Sequence, residues 1–314
     1  MNLHEQLYQW TARSGLDARS ASRLWALSGA GQPPADLWTL LRRGAGALAA
    51  ALIGFGVILW VAANWDTLGR PTRFALLQAL LIVSLAGAAA QPSWRRPLGL
   101  LAFLTLGGLL AFFGQTYQTG ADVWTLFALW AGLSLPLALA VRSDLVWTPW
   151  TVVAGLAIFL WTQTASGHGW RFDRETLPVH AIGLCASVAL NLALARRASV
   201  CGQPWAWRMS VVSATFLATW LGVGALFTRH VPPQYVMSLV VLAIAMGLAW
   251  WRREVYAMSV LALAMNILLV GRVAHRIPFN SLWDMLFTGL FAAALLAATV
   301  QLILRRVRAV EVQA

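Results

Sequence analysis

The chain has 314 residues, of which 60% are apolar and only 11% charged, with a mean hydropathy of +0.69. Soluble globular chains carry about 25% charged residues. An ordinary soluble enzyme, a disordered chain and a disulfide-rich secreted domain are therefore excluded, and a polytopic membrane protein remains.

All 23 basic residues are arginine; against 11 acidic residues the net charge is +12, with a pI near 11.5. In a soluble domain that balance would suggest nucleic acid. Here the arginines stand in pairs at the ends of apolar runs: Arg42-Arg43, Arg95-Arg96, Arg196-Arg197, Arg252-Arg253 and Arg305-Arg306. That is the distribution of topology anchors, so the expected partner is the lipid bilayer and not nucleic acid. The two cysteines, Cys185 in an apolar run and Cys201 beside arginines, point to neither a disulfide nor a metal. The first long apolar run begins near Gly44, too late for a cleavable signal peptide.

Residues 1–43 read as a small cytosolic helical hairpin. Leu3, Leu7 and Trp10 recur at helical spacing until Gly15 breaks the pattern. Asp17 is placed to cap a second short helix with Leu24 and Leu27 on its apolar face; Gly29, Gly31, Pro33 and Pro34 end it. Asp36 is placed to cap a third, 37–43, that runs into the first span. The segment is too short for a catalytic core. Its expected roles are a membrane-surface lid, a topology anchor, or a docking segment for a protein partner.

A spanning helix needs about 20 apolar residues. Ten segments meet that length: 44–63, 73–91, 97–114, 121–141, 145–164, 177–195, 209–228, 235–251, 255–271 and 282–304. Segment 97–114 is short, 145–164 contains Pro149, and Pro136 is expected to kink the fourth span. The expected fold is all-α: a membrane helix bundle over 44–308, with the hairpin before it and a cytosolic tail, 309–314, after it. With the N-terminus cytoplasmic, most arginines fall on the inner side, which puts both termini in the cytoplasm of a bacterial inner membrane. Trp60, Trp65, Trp94, Trp124, Trp147, Trp161, Trp250, Trp251 and Trp283 stand at span ends, where an amphipathic ring anchors at the headgroups.

Polar groups inside a bilayer are the default functional candidates. No charge lies at mid-span: Asp66, Asp122, Asp144, Glu254 and Asp284 are all at or near span ends, and His180 is three residues into the sixth. This counts against proton coupling. Gln78, Ser84, Asn191 and Asn266 are neutral mid-span residues, expected to bond helix to helix. Gly46, Ala50 and Gly54 give the first span a close-packing face.

One constellation stands out. The first span ends in Asn64, Trp65 and Asp66; the third ends in Gln115, Thr116 and Tyr117, followed by Asp122. Both ends emerge on the outer side, so two polar clusters are expected at one membrane depth. Their carboxylates, amides, phenol and indole suit a cation, a sugar or a lipid headgroup. Helix capping, with Asp66 paired to Arg70 or Arg73, is the plainer explanation. There is no G-x-S-x-G, H-E-x-x-H, C-x-x-C, P-loop or dinucleotide glycine pattern. No carboxylate stands at metal-ligand spacing from a histidine, so no metal, cofactor or catalytic residue is expected.

The first half of the chain resembles a bacterial membrane-protein family known as domain of unknown function 2157. The resemblance, over about residues 1–160, rests on Ser14-Gly15-Leu16; on the run from Gly54 and Gly56 through Val61-Ala62-Ala63-Asn64-Trp65-Asp66; and on Gly114-Gln115-Thr116-Tyr117 leading to Trp124, Trp130 and Leu135-Pro136. It implies location and architecture, and no activity. The favoured function is a non-catalytic accessory or scaffold protein of the cell envelope. The alternatives are a carrier with an outward-facing polar site between the first and third spans, its small-molecule substrate unknown, and an intramembrane enzyme on a lipid-linked substrate.

Overall fold

The computed structural model describes residues 10, 11, 14–28, 37–63, 69–117, 120–167, 172–201, 204–228, 233–278 and 280–311. It is helical throughout, with no strand among the described residues. The chain divides into two units, residues 1–49 and 50–314.

In the first unit α1 (Ala18–Ser28) is a short amphipathic helix. The Asp17 carboxylate caps it, accepting from the Ser20 N–H at 3.2 Å. Hydrogen bonds from Ser20, side chain first and backbone second, hold the Asp17 carboxyl below its usual range. The cap is therefore complete at neutral pH and is lost only as pH falls through that lowered value. Of the expected helix around Leu3 and Leu7, only Trp10 and Thr11 are described, and they are helical. α2 (Leu37–Ala63) fuses the expected 37–43 helix with the first span and carries the chain into the second unit.

The remaining helices are α3 (Arg70–Ala90), α4 (Arg95–Tyr117), α5 (Val123–Val141), α6 (Asp144–Ala165), α7 (Leu177–Cys201), α8 (Pro204–Leu226), α9 (Pro233–Arg252), α10 (Val255–Arg276) and α11 (Leu282–Glu311). α2 to α11 include ten stretches long and apolar enough to cross a bilayer. The short third span and the Pro-containing fifth are of full length, at 23 and 22 residues. α8 and α9 open on Pro204 and Pro233, where a missing N–H costs no helical bond. α5 ends on Arg142 in the left-handed region (φ 52°), and Ser143 turns the chain into α6, its hydroxyl accepting from the Leu145 N–H.

Within the second unit the helices pack mostly against sequence neighbours, and α8 is the exception. It contacts α6, α7, α9 and α10, and 56% of its apolar stretch is buried. One core joins Ala50 of α2 to α4, α5 and α6 through Leu101, Phe103, Ala131 and Trp150. A second joins α7, α8, α9 and α10 through Leu184, Leu221, Leu242, Met258 and Leu268. Between lipid-soluble helices association rests on close packing and hydrogen bonds, since lipid tails are as apolar as leucine. Of the expected small face on α2, Ala50 is buried, and a Cβ on Gly54 would touch Leu101 and Leu104 of α4 at 3.4 and 3.5 Å. α11 buries none of its apolar stretch, and its Thr299 hydroxyl accepts from the Asn266 amide of α10 at 3.0 Å.

The expectation for Trp147 is corrected. Trp147 is not an interface anchor: it is 4% exposed and stacks edge-on against Trp150 in the core. Trp60, Trp94, Trp251 and Trp283 are exposed at helix ends as expected.

A carboxylate also caps across helices. Asp144, first residue of α6, accepts from the Trp205 N–H at the start of α8 at 3.0 Å. It satisfies an end group of α8 and complements that helix's positive pole. Asp144→Ala is expected to cost about 1–2 kcal/mol, read as a lower thermal midpoint in detergent. A midpoint equal to wild type would mean the bond contributes nothing.

Candidate functional site

The constellation expected from the sequence is only partly visible. Asn64, Trp65 and Asp66 lie outside the described residues. Gln115, Thr116 and Tyr117 form the last turn of α4, and Asp122 precedes α5 without a side-chain capping bond. Tyr117 is 60% exposed and packs beside Phe113 and Phe74, ring centroids 4.8 and 6.1 Å away. Thr116 has its hydroxyl oxygen buried without a protein partner. The structure thus groups three of the seven residues on one turn, in an aromatic collar shared with α3.

Of the four mid-span polar residues, Asn191 and Asn266 bond helix to helix as expected, and Ser84 and Gln78 do not. The Asn191 amide of α7 donates to the Ser210 hydroxyl of α8 at 2.9 Å, and Asn266 bonds Thr299 as above. The Ser84 hydroxyl donates back to the Leu80 carbonyl at 2.6 Å. Gln78 is exposed.

Two further features lie in the second half. The first is a groove of about 150 Å³ between α7, α8, α9 and α10. Its walls are mainly apolar, with Leu184, Val188 and Leu192 from α7, Val211 from α8, and Leu242 and Leu248 from α9; Asn191 and Thr215 are the polar residues within them. Val188, Leu192 and Leu248 are themselves exposed on the bundle surface, so the groove is open along its side. Arg252 at the end of α9 and Glu254 before α10 stand at one end, both exposed. The Glu254 carboxylate makes no capping bond. From Leu242 to Arg252 the α9 wall is about 15 Å long at 1.5 Å per residue. That is half the ~30 Å hydrocarbon core, or one leaflet. Beside this end the Arg208 guanidinium lies over the rings of Trp205 and Tyr256 at 4.9 and 5.4 Å.

The second is a buried polar cluster at the opposite end of the same helices. α7 and α9 both run away from it, with α8 returning between them. The Gln234 amide nitrogen donates to the Asp173 carbonyl at 2.5 Å and to the Thr176 hydroxyl at 3.4 Å. One turn further in on each helix stand His180 and Ser238, which are 2% and 0% exposed. Phe172 covers His180, ring centroids 5.4 Å apart, and rests where Gly224 has no side chain. Tyr235 donates its hydroxyl to the Leu268 carbonyl of α10 at 3.1 Å, and Arg272 lies 6.0 Å from its ring centroid.

Among the described residues no group of three His, Cys, Asp or Glu side chains is placed to hold a metal ion. Sequence reasoning placed His180 three residues into the sixth span and passed over Gln234 and Ser238. The groove has no linear signal, because its walls come from four helices.

Residues 8–147 match a family model described as "Predicted membrane protein (DUF2157)". The resemblance read from the first half of the sequence stands on that match, and the protein is a membrane protein with many apolar helices. No curated protein and no solved structure matches the chain. The groove and the polar cluster lie beyond the matched residues.

Proposed function

We propose that this chain is a non-catalytic accessory protein of the bacterial inner membrane that holds an aminophospholipid in the groove between α7, α8, α9 and α10. The observation behind this reading is the pairing of an apolar, side-open groove one leaflet deep with adjacent charges of opposite sign at its end. An acyl chain suits the walls, since the groove has lipid along its open side. At the end, Arg252 suits a phosphate, which a guanidinium binds through paired N–H donors. Glu254, two residues on, suits a primary ammonium. A headgroup carrying both, as in phosphatidylethanolamine, meets both charges; an anionic headgroup meets Arg252 and is repelled by Glu254. With both termini cytoplasmic, the groove faces the inner leaflet.

The test is thermal stability of the delipidated protein in micelles, with phosphatidylethanolamine, phosphatidylglycerol and phosphatidylcholine added in turn. Phosphatidylethanolamine is expected to raise the midpoint most, by mass action on the folded state. Arg252→Gln is expected to weaken that lipid about tenfold, equivalent to about 1.4 kcal/mol. Glu254→Gln is expected to erase its advantage over phosphatidylglycerol. Equal shifts from all three lipids, unchanged in both variants, would leave only bulk solvation by lipid and would sink the proposal.

A further inference from the structure

The polar cluster at the closed end of α7 and α9 carries an inference that does not depend on the lipid reading. Three of its polar atoms have no hydrogen-bond partner within the protein: His180 Nδ1, Gln234 Oε1 and Ser238 Oγ. All three side chains are at least nine-tenths buried. A buried polar atom left unsatisfied is expensive, and more so away from water.

The register brings the three to neighbouring levels of α7 and α9. Thr176 and Gln234 meet directly at 3.4 Å, which fixes the level of α7 against α9. Because the two helices run the same way, adding one turn to each brings His180 opposite Ser238. A further turn brings Leu184 opposite Leu242, and both of those line the groove. The Gln234 amide nitrogen is turned toward Asp173 and Thr176, so its oxygen points the other way. Ser238 also differs from several other helix hydroxyls. Thr105, Thr151, Thr162 and Thr219 each donate to the carbonyl four residues back, at 2.7–2.8 Å. Ser238 makes no such bond, which leaves its proton for another acceptor.

We propose that His180, Gln234 and Ser238 form a binding site for a structural water that bridges α7 to α9. The hydrogen-bonding capacities match a single water. It donates one proton to Gln234 Oε1 and the other to His180 Nδ1, in the tautomer protonated on Nε2, and it accepts from the Ser238 hydroxyl. Three bonds is the usual number for an internal water. Two acceptors and one hydroxyl donor suit a water, which brings two protons and a lone pair. Leu184 and Leu242 separate the site from the groove, and Phe172 covers the other side. The water would fasten α7 to α9 at the point from which the groove opens.

The sign of a stability change tests this, using the full chain in detergent. If the Ser238 hydroxyl bonds a water, Ser238→Ala removes a bond and is expected to lower the thermal midpoint by about 2 °C. If the hydroxyl is dry and unpaired, the same change relieves a penalty, and the midpoint rises or stays level; that result overturns the proposal. His180→Asn, which keeps a polar terminus, is expected to be milder than His180→Leu. A His180→Leu variant at least as stable as wild type would equally overturn it. Hydrogen exchange at Ser238 and Leu242 is expected to quicken in Ser238→Ala, and unchanged protection there would count against a bridge between the helices.

Discussion

Trp150→Ala is expected to lower stability by about 3 kcal/mol, the low end of the range for removing a buried aromatic. Trp150 sits on α6 with its indole N–H donating to the Ala131 carbonyl of α5 at 2.9 Å. Its ring meets Trp147 edge-on, centroids 5.0 Å apart at 65°. Two terms add. The larger is lost contact around a cavity in the first core, where Phe103, Ala131 and Val153 cannot close the gap. The smaller is the interhelical hydrogen bond, about 0.6 kcal/mol on average between membrane helices. The transfer of apolar area out of water contributes little, because separated helices remain in lipid; this sets the figure at the low end. Trp150→Phe separates the terms: it keeps a ring, loses the bond, and is expected to cost about 1 kcal/mol. Unfolding of both variants in mixed detergent micelles gives the comparison. If alanine cost no more than phenylalanine, the ring's packing would not be what holds α5 to α6.

Its neighbour Trp147 shows where reading the sequence stopped. The ten spans were legible because a hydrocarbon layer imposes a length and a composition on each, and both are local properties. The roles of Asn191 and Asn266 were legible too, since an amide in lipid must find a partner and a neighbouring helix is the nearest source. Trp147 was not. A tryptophan near a span end looks the same whether it faces headgroups or the bundle core, and only its packing in that core decides. Gln234 and Ser238 failed for a similar reason. One follows a helix-opening proline and looks like an interface residue; the other looks like any hydroxyl that bonds back to its own helix. Their burial follows from how α7, α8 and α9 fold together around Gly222 and Gly224. On α8, a Cβ at Gly222 would come within 3.3 Å of Ser238 Cβ. Of the candidate residues in the last turn of α4, Thr116 is the one with a buried unsatisfied oxygen. A hydroxyl cannot announce that from sequence.

Close approach also sets the second large effect. Gly107 of α4 faces the six-membered part of the Trp130 indole on α5, and a Cβ built there would lie 2.3 Å from Cζ2. Whether the ring can yield decides the cost. It is held on three sides: its N–H donates to the Phe103 carbonyl at 3.0 Å, it stacks on Phe103 at 5.0 Å and 30°, and Phe127 lies 6.3 Å beyond. Moving it breaks a hydrogen bond and two ring contacts, so the overlap must be taken up by separating α4 from α5. Gly107→Ala is accordingly expected to cost about 3 kcal/mol, the upper end for adding one methyl to a packed core. The diagnosis is steric, and a steric clash has a partner. Trp130→Leu alone loses the ring and its bond and is itself destabilising. In the double variant the methyl occupies room the indole has left, so the cost is expected to fall short of the sum of the singles by about 2 kcal/mol. Changes that act independently add to within about 0.5 kcal/mol. Additive unfolding energies would therefore mean that Gly107 is required for a reason other than Trp130, such as the conformation of α4 itself.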